Sequence, residues 1–117
     1  MAMYRQVYGD DATGWERGQS PMFDVMIEQL FAEIWTRPGL DIPARRLITL
    51  GVLAAQSKYD VLELQFLRVL RTGELDVAGV REVVIHLIGY VGYPSSGALL
   101  RAGENAIAAF ATEGKQP

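Results

Sequence analysis

Three features of the sequence predict an all-α fold. Apolar residues recur at spacings of three and four, capping residues and Gly or Pro breaks bracket most of the apolar runs, and no segment alternates with the period of a strand. The chain has 117 residues, the size of one compact domain. We read residues 1–19 as an N-terminal arm, 20–113 as a helical domain of about five helices, and 114–117 as a tail.

The arm carries Tyr4, Tyr8 and Trp15 among Gly9, Gly14 and Gly18, which predicts an irregular segment with one short helical turn over Tyr4–Tyr8. Its aromatics need a surface to pack on, either the body or a neighbouring subunit. Ser20 followed by Pro21 is a helix start. Phe23, Met26, Ile27, Leu30, Phe31 and Ile34 then form a one-sided stripe that ends at Thr36-Arg37-Pro38-Gly39. Asp41 opens the next helix, with Pro43 in its first turn. Its run from Leu47 to Ala55 is apolar almost all round, which marks it for the centre of the domain. Gly51 inside that run costs about 1 kcal/mol in helix propensity, and close approach of a neighbouring helix would explain it.

Asp60 with Glu63 three residues later reads as a capping arrangement for a third helix, which carries Leu62, Phe66, Leu67, Val69 and Leu70 and stops at Gly73. Asp76 caps a fourth, with Val80, Val83, Val84, Leu87, Ile88 and Val91 as its apolar set and Gly92-Tyr93-Pro94 as its break. Ser95 or Ser96 starts a fifth, with Leu99, Leu100, Ala102, Ala106, Ile107 and Phe110. The β-branched run Val83-Val84-Ile85 is the one competitor for a strand, but its flanks keep helical spacing. The connections are short, as between antiparallel neighbours.

Composition narrows the function classes. Half of the residues are hydrophobic and 21% are charged, which excludes a disordered chain. No apolar run reaches the length needed to cross a bilayer, and the N-terminus has no signal-peptide pattern, so a cytoplasmic protein with no membrane partner is expected. A net charge of −3 argues against a nucleic-acid partner. With no cysteine, disulfides, thiolate metal sites and thiol nucleophiles are excluded. The single histidine cannot form a multi-histidine metal site within one subunit, and no close carboxylate cluster suggests magnesium or calcium, so no metal is expected; no cofactor is expected either. A domain this small with so many apolar residues leaves apolar surface over once its core is filled, which predicts a homo-oligomer.

His86 is the most informative polar residue. Glu82 precedes it by four and Tyr90 follows by four, so the three share one ridge of the fourth helix, with Tyr93 near the same ridge. An imidazole there is either a packed histidine or an acid–base group with a carboxylate beside it. Arg45 and Arg46 enter an otherwise apolar helix about 100° apart, so one of the two could grip a substrate carboxylate, or either could form a salt bridge. Gln65 is either exposed or a neutral donor and acceptor toward a cavity. Trp35 either walls a pocket or packs in a core or interface.

The segment Glu33-Ile34-Trp35-Thr36-Arg37-Pro38-Gly39-Leu40-Asp41, followed by Arg46-Leu47-Ile48-Thr49-Leu50, resembles the carboxymuconolactone decarboxylase family, which reads EIWxRPGLD and then R-S-L-I-T-L. Arg81-Glu82-Val83 and Tyr90-Val91-Gly92-Tyr93-Pro94 are similar to its I-R-E-V and Y-A-G-F-P segments, and Arg5, Gly9 and Asp10 to its opening RxxxGD. The resemblance implies an AhpD-like all-α fold, assembly as a trimer or a hexamer, and sites near subunit contacts. It also implies decarboxylation of a γ-carboxymuconolactone in aromatic-acid catabolism through β-ketoadipate. A related branch uses a CxxC pair; the corresponding positions are Lys58 and Val61, which excludes thiol peroxidase chemistry.

The family reads L-H-L-R-G-A-L-N-N-G where this chain reads Leu64-Gln65-Phe66-Leu67-Arg68-Val69-Leu70-Arg71-Thr72-Gly73, so Gln65 stands at the family's catalytic histidine. Glutamine hydrogen-bonds but exchanges no proton near neutral pH. The expected activity is therefore a cofactor-free lyase, isomerase or cyclase acting on a lactone, enol or carboxylated small molecule. His86, Gln65 and Glu82 form its catalytic set, and Arg45, Arg46, Tyr90, Tyr93 and Trp35 bind substrate. The alternatives are the family's own 4-carboxymuconolactone decarboxylation and a non-catalytic oligomeric scaffold. The first reading requires His86 and Gln65 to face one cavity.

Overall fold

The Ser20 hydroxyl accepts a hydrogen bond from the Phe23 amide at 3.4 Å, and Pro21 occupies the first helical position, so the first long helix starts where capping chemistry places it. The computed structural model describes residues 1–9 and 16–114, and Asp10, Gly14 and Trp15 lie outside them. Those residues form six helices and no strand, the all-α class expected. The chain divides into two compact units, Met1–Arg46 and Leu47–Pro117.

The first unit holds α1 (Ala2–Tyr8) and α2 (Pro21–Val25), which runs on as a π-helical stretch, Met26–Ile34. In that stretch the backbone bonds reach back five residues, as from the Trp35 amide to the Leu30 carbonyl at 3.0 Å. The wider winding changes which side chains share a face. Phe23, Ile27, Phe31 and Trp35, each four residues on, form the buried column, while Leu30 and Ile34 of the predicted stripe turn outward. Tyr4 and Val7 of α1 complete this core. The Tyr4 ring meets Phe23 and Phe31 edge-on, with centroids 5.4 and 5.0 Å away. Tyr4 and Tyr8 of the arm thus find their packing surface within their own unit.

Helix α3 (Ile42–Ala55) opens with Asp41 Oδ1 accepting from the Ala44 amide at 2.9 Å. Its residues from Leu47 onward belong to the second unit, with α4 (Tyr59–Thr72), α5 (Val77–Val91), a 3₁₀ turn (Tyr93–Ser95) and α6 (Ser96–Glu113). The predicted cap for α4 is corrected. Lys58 is the N-cap residue and makes no side-chain capping bond, and Asp60 lies inside the first turn. Gly73 ends α4 in the left-handed conformation at φ 76°, and Asp76 Oδ1 caps α5 through the Gly79 amide at 2.7 Å.

The second core is aliphatic apart from Phe66. It joins Leu50 and Ala54 of α3 to Leu62, Phe66, Val69 and Leu70 of α4, Val80 and Val84 of α5, and Leu99, Ala102 and Ala106 of α6. The glycine at a close helix approach is Gly103, where a Cβ would lie 3.1 Å from Val84 Cγ2. Gly51 is different. A Cβ there would meet only Leu87 Cδ2, at 3.8 Å, so the expectation of a close helix at Gly51 is not met.

Candidate functional site

Within the second unit, α3 and α5 leave a groove of about 710 Å³ between them. From α3 come Leu47, Ile48 and Gly51, and from α5 come Gly79, Glu82, Val83, His86 and Leu87, with Leu75 at one end. The α5 residues fall at spacings of three and four, which is one helical face. Asp76 caps that helix and fixes where it begins. Gly51 presents no side chain to the groove, a Cβ at Gly79 would crowd Leu75 and Asp76 at 3.2 Å, and the remaining wall is mostly aliphatic. Glu82 and His86 are its two ionisable groups.

Both groups are exposed, and no hydrogen bond or ion pair among the described residues joins them. The His86 ring lies near the Tyr90 ring, with centroids 5.0 Å apart and planes inclined at 37°. Tyr90 and Tyr93 are 82% and 79% exposed and lie outside the lining of the groove. The ridge Glu82–His86–Tyr90 therefore exists as the spacing predicts, with its imidazole at the groove and its phenol in solvent.

The other expected site residues are placed elsewhere. Gln65 is fully buried on α4 in the aliphatic core and is not among the residues lining the His86 groove. The cavity shared by His86 and Gln65 is thus not what this groove provides. Arg45 donates from Nε to the Leu40 carbonyl at 3.2 Å and from Nη2 to the Arg37 carbonyl at 3.0 Å, which ties down the turn before α3. Arg46 is 1% exposed and donates from Nη1 to the Val7 carbonyl at 2.5 Å. Its guanidinium carbon also lies 5.9 Å from the Trp35 ring centroid, within cation–π range. Trp35 in turn stacks on Phe31 at 6.1 Å. Both arginines and Trp35 are engaged in holding the first unit together.

Reading the sequence for polar residues missed the groove's walls. Leu47, Ile48, Gly51 and Gly79 carry no chemistry of their own. The signal that could have found them is the pairing of a small residue with exposed aliphatics on facing helices. Among the described residues no group of three or more His, Asp or Glu side chains could hold a metal ion. No helix there is long and apolar enough to cross a membrane.

The chain is 33% identical over 75 residues to the nitrosuccinic acid decarboxylase npaB of Metarhizium robertsii, covering 64% of this chain and 52% of that protein. It is 32% identical over 74 residues to the 4-carboxymuconolactone decarboxylase of Acinetobacter baylyi, covering 63% and 54%. The chain thus spans about half the length of the curated relatives it matches. No family model matches the chain, and no solved structure matches it.

Proposed function

We propose that the chain, which is 32–33% identical over about two thirds of its length to two decarboxylases, is a decarboxylase-like enzyme of the carboxymuconolactone decarboxylase kind whose reaction runs in the groove between α3 and α5. The observation that carries this is the placement of the chain's single histidine, His86, on the lining of an otherwise mostly aliphatic groove of about 710 Å³. Volume and lining of this kind suit a small organic substrate.

The substrate class is a carboxylate whose departing electron pair can delocalise into a neighbouring carbonyl or lactone. The bond between the carboxylate carbon and the ring or chain carbon breaks, carbon dioxide leaves, and the electron pair forms an enolate. His86, protonated beforehand from solvent, delivers its proton to the enolate carbon and is left neutral. The aliphatic walls favour the first step, because they solvate a localised carboxylate worse than the dispersed charge that replaces it. Glu82 sits one turn before His86 on the same face, where rotation of its side chain brings the carboxylate to the imidazole. Gln65 takes no part in this scheme, and the arginines hold the fold. The apolar residues around the open groove favour coverage by a second copy of the chain in a homo-oligomer, trimeric or hexameric.

The test is release of carbon dioxide from γ-carboxymuconolactone and from a panel of β-keto and lactone carboxylates, with wild type and His86→Gln. The amide keeps the shape and removes the proton transfer. We expect turnover to fall by about 10²-fold or more, with the folded state intact by circular dichroism. Equal turnover in the two proteins overturns the role of His86. A wild type that neither turns over nor binds any panel member points to the scaffold reading, in which an exposed His86 with no hydrogen bond to Glu82 is a retired residue.

A further inference from the structure

A second groove, of about 560 Å³, runs between the start of α4 and the middle of α6, and its chemistry is unlike that of the first. We propose that it binds a small zwitterion, with the ligand's carboxylate on Arg101 and its ammonium against Asp60 and Glu63.

The arrangement follows from two helical faces. Tyr59, Asp60, Glu63 and Leu64 stand on one side of α4, and Ala98, Arg101 and Asn105 on the facing side of α6. One cation and two carboxylates thus share one groove. Even so, no ion pair within 4.0 Å joins Arg101 to either carboxylate among the described residues. Elsewhere in the same unit arginines do close on acids across helices. Arg81 meets Glu104 through two hydrogen bonds, at 2.9 and 3.1 Å, and Arg71 meets Glu113. The α4–α6 groove, by contrast, keeps its cation and its carboxylates unjoined among the described residues.

The guanidinium lies against Gly97 one turn before it, where a Cβ would sit in ordinary contact 3.5 Å from Nη1. Asn105 Nδ2 donates to Glu63 Oε1 at 2.9 Å and holds that carboxylate in place. At the groove's end the Tyr59 hydroxyl donates to Ser57 Oγ at 3.2 Å, which steadies the ring as a wall. A ligand with only a carboxylate would face Asp60 and Glu63, and one with only an amine would face Arg101. A molecule with both charges, spaced to the gap, meets complementary groups at each end: a planar two-pronged donor for its carboxylate and acceptors for its ammonium.

The probes are ω-amino acids of increasing length: glycine, β-alanine, γ-aminobutyrate and ε-aminocaproate. Each is titrated into the full chain beside the carboxylic acid and the alkylamine of matching length, with backbone amide shifts as the readout. We expect one length to move the amides of the first turns of α4 and the middle of α6, and to bind about tenfold tighter than either control. Arg101→Gln and Asp60→Asn should each bring it down to the level of a control, while His86→Gln leaves it unchanged. The proposal is overturned if no member of the series outbinds both of its controls, or if the two groove variants bind it as wild type does. Neither result bears on decarboxylation at the other groove.

Discussion

The two units treat their ionisable groups differently. In Met1–Arg46 the core is aromatic, and the buried Arg46 is spent on it, donating to the Val7 carbonyl and lying over Trp35. In Leu47–Pro117 the core is aliphatic, and its ionisable groups, His86 and Glu82 in one groove and Arg101, Asp60 and Glu63 in the other, stay out of it. The difference teaches how to sort candidate residues. An arginine with a π face and a backbone carbonyl within reach serves the fold, whereas a histidine on an aliphatic wall with no hydrogen bond or ion pair among the described residues is available to a ligand.

The largest effect that tests this sorting is at Arg46. Arg46→Ala removes a buried side chain and leaves the Val7 carbonyl without that donor, so unfolding in urea should show a loss of about 2–4 kcal/mol. Arg45→Ala should lose about 1 kcal/mol, since it removes bonds from a half-buried group to the turn before α3. Equal stability of wild type and Arg46→Ala would break the comparison.

A smaller effect is expected at Asp76, whose cap sets the start of α5. Asp76→Ala should cost about 1 kcal/mol. Its second consequence is sharper: the first turn of α5, which carries Gly79 into the His86 groove, should exchange its amide hydrogens faster, while α6 is unchanged.

The smallest concerns the Arg81–Glu104 pair on the exposed side of the second unit. Its hydrogen bond to Arg81 holds the Glu104 carboxyl below its ordinary value of 4.5. A carboxyl lowered in the folded state stabilises the protein above its unfolded value and loses that contribution as pH falls through the folded one. The melting temperature of wild type should therefore drop slightly more than that of Glu104→Gln when the pH is lowered through and below about 4.5, and the two should differ least in acid.

Much of the helix pattern was legible because capping and stopping are local. Ser20, Asp41, Gly73 and Asp76 act within three or four residues, and each performs the task its position suggested. The winding of Met26–Ile34 was not legible. Apolar residues at three and four suit an α-helix, and the choice of a π winding that selects Phe23, Ile27, Phe31 and Trp35 depends on what packs against them. The site divided in the same way. The ridge Glu82–His86–Tyr90 follows from helix geometry alone, but that Gln65 points into a core and His86 to a groove depends on which helices face α4 and α5.

The sequence by itself determined the all-α class, the caps that start α2, α3 and α5, the ridge that carries His86 and the resemblance to decarboxylases, since each rests on neighbours along the chain. Only the tertiary structure decided that Arg46 is an anchor, that Gly51 opens a groove, and that Arg101 stands apart from the two carboxylates across from it. Those outcomes are distances between helices, and a helix's own residues do not specify what will stand opposite them.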